Sequence, residues 1–496
     1  MLSLPKKIKK EILSNKSTYF LLALILAFSA FFRLYKLNSL LGFWYDQGRD
    51  ALVIWDFIHN GKFFLIGPVT GIEGIYLGPF FYWLMVPFYF LGGGNPVFPA
   101  AFFSVLTVFA IFLIFWLAKE IYGYPVALIS AFLYGFSLPL IIFSRWMANP
   151  NPLPFFTLVT LIFLWRFVGK KDNKSLIGAS FSLGLCLQCE AASAIFFLPA
   201  TLIIILWQKK ILGKLNILFL SFVAFFVTLL PQIFFDLRHQ GILRSAFKTF
   251  LVGDRSFHLS LFETVKARFL LYFDTLFGKL FPQNTIKITF LIFFFLTLYF
   301  FRKQIFQKGG KLLAIWLMSP LFFFLFYQGN HGYVWDYYFT GVVPAFIILF
   351  SSGIFFLAKK VSISKVIIGA FLILFTAINM KGLTDYYKAG MGISLSSQLE
   401  AIDWVYQDAK GEDFNIDVYV PPQIPYAYTY LFKWYGSTKY GRQPKEELVK
   451  NLYTLYETDT QHPDLLKNWL SRQDTIGKIE RSNFWGEITV QKRERI

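Results

Sequence analysis

From residue 18 to residue 380 the chain alternates long apolar runs with short polar breaks. Eleven runs approach the roughly 20 mainly apolar residues that cross a bilayer. They cover 18–36, 96–118, 124–143, 152–168, 175–189, 191–207, 215–235, 285–301, 312–328, 337–358 and 364–380. Glu190 alone separates 175–189 from 191–207, which requires short or tilted helices. A further run, "LGPFFYWLMVPFYFLGG" at 77–93, is short and carries Pro79 and Pro87. It reads as an interfacial or re-entrant helix. After residue 380 the pattern changes. Residues 396–409 have amphipathic-helix spacing that stops at Gly411, "NIDVYV" alternates as a strand up to Pro421, and "WGEITVQKRE" reads as a closing strand. The expected fold is an α-helical polytopic membrane domain over 1–380, with about 11 transmembrane helices, and a small α/β domain over 381–496.

Composition agrees. The chain is 56% hydrophobic, 21% aromatic and 16% charged, against about 25% charged in a soluble domain. Net charge is +19. The lysines and arginines gather at the ends of apolar runs and no nucleic-acid motif accompanies them, so the basic balance points to membrane lipid. The short segments 1–17, 119–124, 166–174, 208–214, 302–311 and 359–365 are rich in Lys and Arg. The positive-inside rule puts them in the cytoplasm. The N-terminus is then inside, and the C-terminal domain and the first loop, 37–95, are outside. No small-residue cleavage site follows the first run, so it reads as an uncleaved span of a multi-pass plasma-membrane protein. Cys186 and Cys189 lie in an apolar helix without the context of a redox or zinc site and read as small packing residues.

The chemistry concentrates at "GFWYDQGRDALVIWDF", residues 42–57. Asp46, Arg49, Asp50 and Asp56 stand among Trp44, Tyr45, Ile54, Trp55 and Phe57. An amphipathic helix lying in the interface accounts for Val53, Ile54, Trp55 and Phe57. It does not account for Asp46, which follows an aromatic trio and precedes the helical pattern, at the depth of a lipid phosphate.

This stretch resembles the GT-C glycosyltransferases of family 39, the protein O-mannosyltransferases and lipid A aminoarabinose transferases with their bacterial relatives. There a first span leads to a long outer loop that opens with an acidic motif, D-E-x-x-Y, followed by an amphipathic and a Pro-containing apolar helix. Asp46 falls on the first acid of that motif. Gln47 replaces the second, and Gly78 stands where Lys often precedes the proline. "SRWMANPNPLPFF" at 144–156 carries Asn149 and Asn151 where many members have an acid. "LLPQIFFDLRHQG" and "YVWDYYFTGVVPAFIILF" match further stretches of the family.

The resemblance implies a polyprenyl-phosphate-linked sugar donor and a lipid, glycan or protein acceptor, joined outside the membrane with inversion. A single carboxylate suffices as base, and Asp46 is the candidate. Arg49, Arg238 and His239 are the candidates for the donor phosphate, since Arg grips phosphate bidentately. Each arginine has a structural alternative, Arg49 pairing with Asp46 or Asp50 and Arg238 with Asp236. Trp44, Tyr45, Asp50, Glu73, Arg145, Asn149, Asn151, Glu190, His331, Asp336 and Tyr338 are candidates for contacting substrate, and Trp146, Trp335 and Tyr337 could also touch a sugar. No obligatory cofactor or metal is expected, although Asp46 and Asp50 could contribute to a divalent site. A transporter or flippase of a lipid-linked or anionic substrate is the alternative reading.

Overall fold

The computed structural model describes residues 6–70, 74–208, 211, 213–249, 259–327, 329–360, 364–390, 392–421 and 424–496. Each expected span falls on a helix or a broken pair of helices. Among the described residues, five are long and apolar enough to cross a membrane: Lys16–Leu34, Val97–Tyr122, Leu215–Arg238, Asp336–Lys359 and Val366–Ala389. A sixth joins Tyr124–Phe136 to Leu138–Arg145 through a 60° bend. Other apolar helices, such as Leu153–Gly169 and Ser175–Cys189, are shorter.

Side chains repair the bend. Ser137 Oγ accepts from Leu140 N and donates to Lys279 O, and Asn379 Oδ1 accepts from Leu138 N at 2.8 Å. The fully buried Arg33 donates to the carbonyls of Ser29, Tyr134 and Gly135. Backbone groups freed in an apolar setting need such partners.

Among the described residues, five further helices frame the site and the C-terminal unit: α1 (Tyr45–Asn60), α2 (Phe80–Leu91), α3 (Leu395–Asp408), α4 (Tyr426–Tyr440) and α5 (Pro463–Ile476). The four strands are β1 (Phe414–Tyr419), β2 (Asn451–Glu457), β3 (Gly477–Trp485) and β4 (Ile488–Arg495), in the order β1-β2-β4-β3. β1 and β2 are parallel and joined through α4, while β4 is antiparallel to both neighbours. The single closing strand expected over 485–494 is thus a hairpin, turned at Gly486 with φ 60°. The expected helix at 396–409 is α3 and the expected strand is β1.

The C-terminal unit does not stand clear of the first loop. One hydrophobic cluster joins Phe43, Ile54, Phe81, Tyr82 and Tyr89 to Ile402, Tyr428, Tyr430, Leu431 and Ile488. α1 and α4 meet backbone to backbone, for a side chain at Gly48 would lie 2.3 Å from Ala427 N. Polar ties flank the contact: Leu395 N to Leu41 O, Gln398 Nε2 to Phe43 O, Trp434 Nε1 to Gly93 O and Tyr430 Oη to Gly94 O.

Candidate active site

α1 begins directly after Trp44 and ends at Gly61, whose φ of 64° suits a glycine C-cap. Asp46 lies in its first turn, where the helix dipole favours a carboxylate. Gln47 braces the entry: its Oε1 accepts from Trp44 N at 3.1 Å and its Nε2 donates to Met147 O at 3.0 Å. A carboxylate could not make the second bond, which explains an amide at this position.

Arg49 stands between two carboxylates. Its Nη1 is 2.9 Å from Asp46 Oδ1, while Nε and Nη2 both reach Asp50 Oδ1, at 2.9 and 2.8 Å. Tyr82 Oη donates to the same Asp50 oxygen at 3.0 Å. The partners differ in access. The Asp46 side chain is 55% exposed and that of Asp50 5%. Burial pushes the Asp50 carboxyl up to about 6, against the pull of Arg49. Asp50 is therefore an anchor for the arginine, and Asp46 is the carboxylate open to a reactant.

A cavity of about 330 Å3 opens over this pair, walled by Tyr45, Asp46, Arg49, Val69, Thr70, Trp146, Ala148, Asn149, Pro150, Glu190, Tyr337 and Tyr338. Glu190 occupies the break between Ser175–Cys189 and Ala191–Ala194. Its Oε1 accepts from Ala192 N at 3.1 Å, and Asn149 Nδ2 lies 3.4 Å from Oε2 while donating to Cys189 O at 3.0 Å. Burial raises the Glu190 carboxyl to about 8, which favours its protonated form. Among the described residues that line the cavity, Arg49 is the single cation.

The structure thus gathers Tyr45, Asp46, Arg49, Asn149, Glu190 and Tyr338 around one space and leaves other candidates outside its wall. Trp44, Arg145 and Asp336 line a neighbouring, mainly apolar cavity of about 460 Å3 that shares Trp146 with the first. There Arg145 donates to the carbonyls of Tyr35 and Lys36 at 3.0 and 2.9 Å, and Asp336 pairs with Lys279 at 3.1 Å. Asn151 is buried and donates to Phe143 O and Trp146 O, holding the turn that presents Trp146. Arg238 and His239 are exposed at the end of Leu215–Arg238, where the His239 ring stacks on Phe235. His331 sits in the turn Asn330–Gly332 with φ 49°. Glu73 lies outside the described residues. Val69 and Thr70 carry no chemical signature in the sequence; they reach the wall because Val69 bridges to Tyr76. No group of three or more His, Cys, Asp and Glu among the described residues is placed to hold a metal ion, and Arg49 fills the space between the two aspartates nearest that description.

Residues 77–235 match the sequence family described as dolichyl-phosphate-mannose-protein mannosyltransferase. ArnT from Cupriavidus metallidurans, in a crystal structure bound to undecaprenyl phosphate, is similar over 95% of this chain and 97% of its own, with a TM-score of 0.63 and 13% identity. The same protein in its apo state gives a TM-score of 0.63 and 12% identity over the same shares. The chain shares the fold of ArnT along almost its whole length. The oligosaccharyltransferase of Archaeoglobus fulgidus is similar more loosely, with a TM-score of 0.47 and 13% identity over 78% of this chain and 58% of its own. No curated protein matches the sequence at a significant level. The family match contains Trp146, Asn149 and Glu190, whereas Asp46 and Arg49 precede it.

Proposed function

We propose that the protein transfers a sugar from a polyprenyl-phosphate donor to an acceptor hydroxyl on the extracytoplasmic side of the plasma membrane, with inversion. The observation that carries the reading is Arg49, held by a buried Asp50 and facing a cavity beside an exposed Asp46. Two of its three pairing nitrogens are committed to the anchor. The donor phosphate would take the third from Asp46, and in doing so free that carboxylate.

The acceptor oxygen then attacks the anomeric carbon as its proton passes to Asp46. The bond from that carbon to the phosphate oxygen breaks, and Arg49 stabilises the charge that collects on the departing lipid phosphate. One displacement without a covalent intermediate inverts the centre. Glu190, whose protonated form burial favours, can donate to a sugar oxygen. Asn149, Tyr337 and Tyr338 line the same space. The apolar cavity beyond Trp146 suits the start of the lipid tail. Arg238 and His239 would meet only a part of the donor that extends away from the cavity.

The basic segments support eleven crossings, with the N-terminus inside and the C-terminal unit outside. The decisive assay supplies purified protein with a polyprenyl-phosphate sugar and compares it with Asp46→Asn. Equal transfer by the two would remove the proposed base.

A further inference from the structure

A groove of about 920 Å3 lies away from the Asp46 cavity, walled mainly by the C-terminal unit. Four consecutive residues of β1, Ile416 to Tyr419, line it. Successive side chains of a strand point to opposite faces of the sheet, so a groove that touches all four runs along the strand's edge and not over one face. β1 is an edge strand: β2 pairs with it on one side, and its other side has no strand. α4 borders the groove through Phe432 and Lys433, and α5 through Trp469 and Arg472.

Among the described residues, the backbone of Ile416–Tyr419 has no partner besides β2, whereas two positions earlier the edge is already in use: Lys445 N donates to Phe414 O at 2.9 Å. The segment that carries Lys445 is held there by Asn415, whose Nδ2 donates to Lys445 O and Glu447 O. The edge is thus competent to take a main-chain partner, and it is covered at its start and open for the next four residues, roughly 13 Å at strand spacing. An exposed edge is ordinarily blunted or covered; this one is recessed between two helices.

The groove also leads somewhere. Tyr419 and Leu465 line both it and a second cavity of about 750 Å3. Tyr45 lines that second cavity and the one that holds Asp46. A chain laid along β1 and continued past Tyr419 therefore heads for the carboxylate.

We infer that the β1 edge binds an extended segment of polypeptide by strand addition and that the acceptor is a hydroxyl-bearing side chain of that segment. This rests on the transfer reading above for its purpose, though not for its geometry. Main-chain pairing supplies affinity in such sites and flanking pockets select side chains. A glycan has no amide row to match the open edge.

Hydrogen exchange on the full-length protein in detergent tests the site directly. The probe is an unstructured Ser/Thr-rich decapeptide, set against a linear oligosaccharide of similar length. The peptide should slow exchange of the amides in 416–419, and the oligosaccharide should not. Protection by the oligosaccharide alone, or by neither, overturns the proposal. Asn468→Trp, at an exposed position on the groove wall, should raise the Kd for the peptide about tenfold, one contact's worth, while leaving binding of the polyprenyl-phosphate sugar unchanged. An unaltered peptide Kd also overturns it. Since exchange reports binding without turnover, failure of Asp46 as base and failure of the peptide site are read separately.

Discussion

Arg49 points two nitrogens, Nε and Nη2, at a single oxygen of Asp50, at 2.9 and 2.8 Å. The contact fixes the guanidinium plane before any substrate arrives. Asp50→Asn keeps an acceptor for Tyr82 but removes the charge that steadies Arg49. The expected result is a weaker grip on the donor, seen as a raised donor Kd and KM, with kcat less affected. The thermal midpoint should also fall, because Arg49 would keep only its exposed partner, Asp46.

Asp46→Asn should behave differently. The residue is half exposed, so the fold tolerates the change, and donor binding should survive. Loss of a general base costs about a hundredfold to ten-thousandfold in rate. Single-turnover transfer with saturating donor checks it. Normal transfer by this variant beside a dead Asp50→Asn would assign the base to the wrong carboxylate.

Arg49→Lys retains the charge but not the planar fork. It can satisfy one aspartate or the phosphate, not all three. A charge-assisted contact is worth about 1.5–3 kcal/mol, so donor affinity should drop by at least tenfold. Titration of purified protein with a polyprenyl-phosphate sugar measures it, and an unchanged Kd would remove Arg49 from the phosphate site.

Glu190 makes stability depend on pH. Its carboxyl titrates at about 8 in the folded chain against an ordinary 4.5. Between those values the folded state binds the extra proton, so the contribution is fully present below about pH 4.5 and is lost as pH rises through 8. Asp50 and Glu457, raised by burial to about 6 and about 7, act in the same direction. Glu190→Gln should therefore flatten the fall in thermal midpoint between pH 5 and 9 without abolishing it, and gain most over the parent at pH 9. A curve parallel to the parent's would contradict the burial of that carboxyl.

Gly48→Ala probes the seam between α1 and α4. The added carbon would meet the Ala427 backbone at 2.3 to 2.4 Å, and no side-chain rotation relieves a clash with main chain. Overpacking of this kind costs about 1–3 kcal/mol. Limited proteolysis should cut the C-terminal unit faster, and transfer should fall although no reactive group has changed.

The helices of the membrane part were legible because an apolar run of sufficient length has few alternatives to a helix. The bend at Ser137 was not, since its partners, Lys279 and Asn379, are distant in sequence. Asp46 stood out by position and Glu190 as a lone acid between apolar runs. That Arg49 serves both neighbouring aspartates follows from spacing, but which of them is buried depends on Tyr82 and the packing of α2. α4 escaped notice because its aromatic stretch "YAYTYLFKWYGSTKY" is covered on several sides, by α1, the strands and α3, so no single apolar stripe marks it. The cavity wall draws on five separate parts of the chain, and no local pattern announces such a meeting.

The seam at Gly48 and Ala427 also sets an order of events in biogenesis. The helix that carries Asp46 and Arg49 is among the first parts made by the ribosome, yet the side of it that faces Ala427 stays uncovered until α4, near the end of synthesis, comes to rest on it. The support behind the reactive pair is thus completed last, and an interrupted chain that stops short of residue 426 would leave the helix of Asp46 and Arg49 without it.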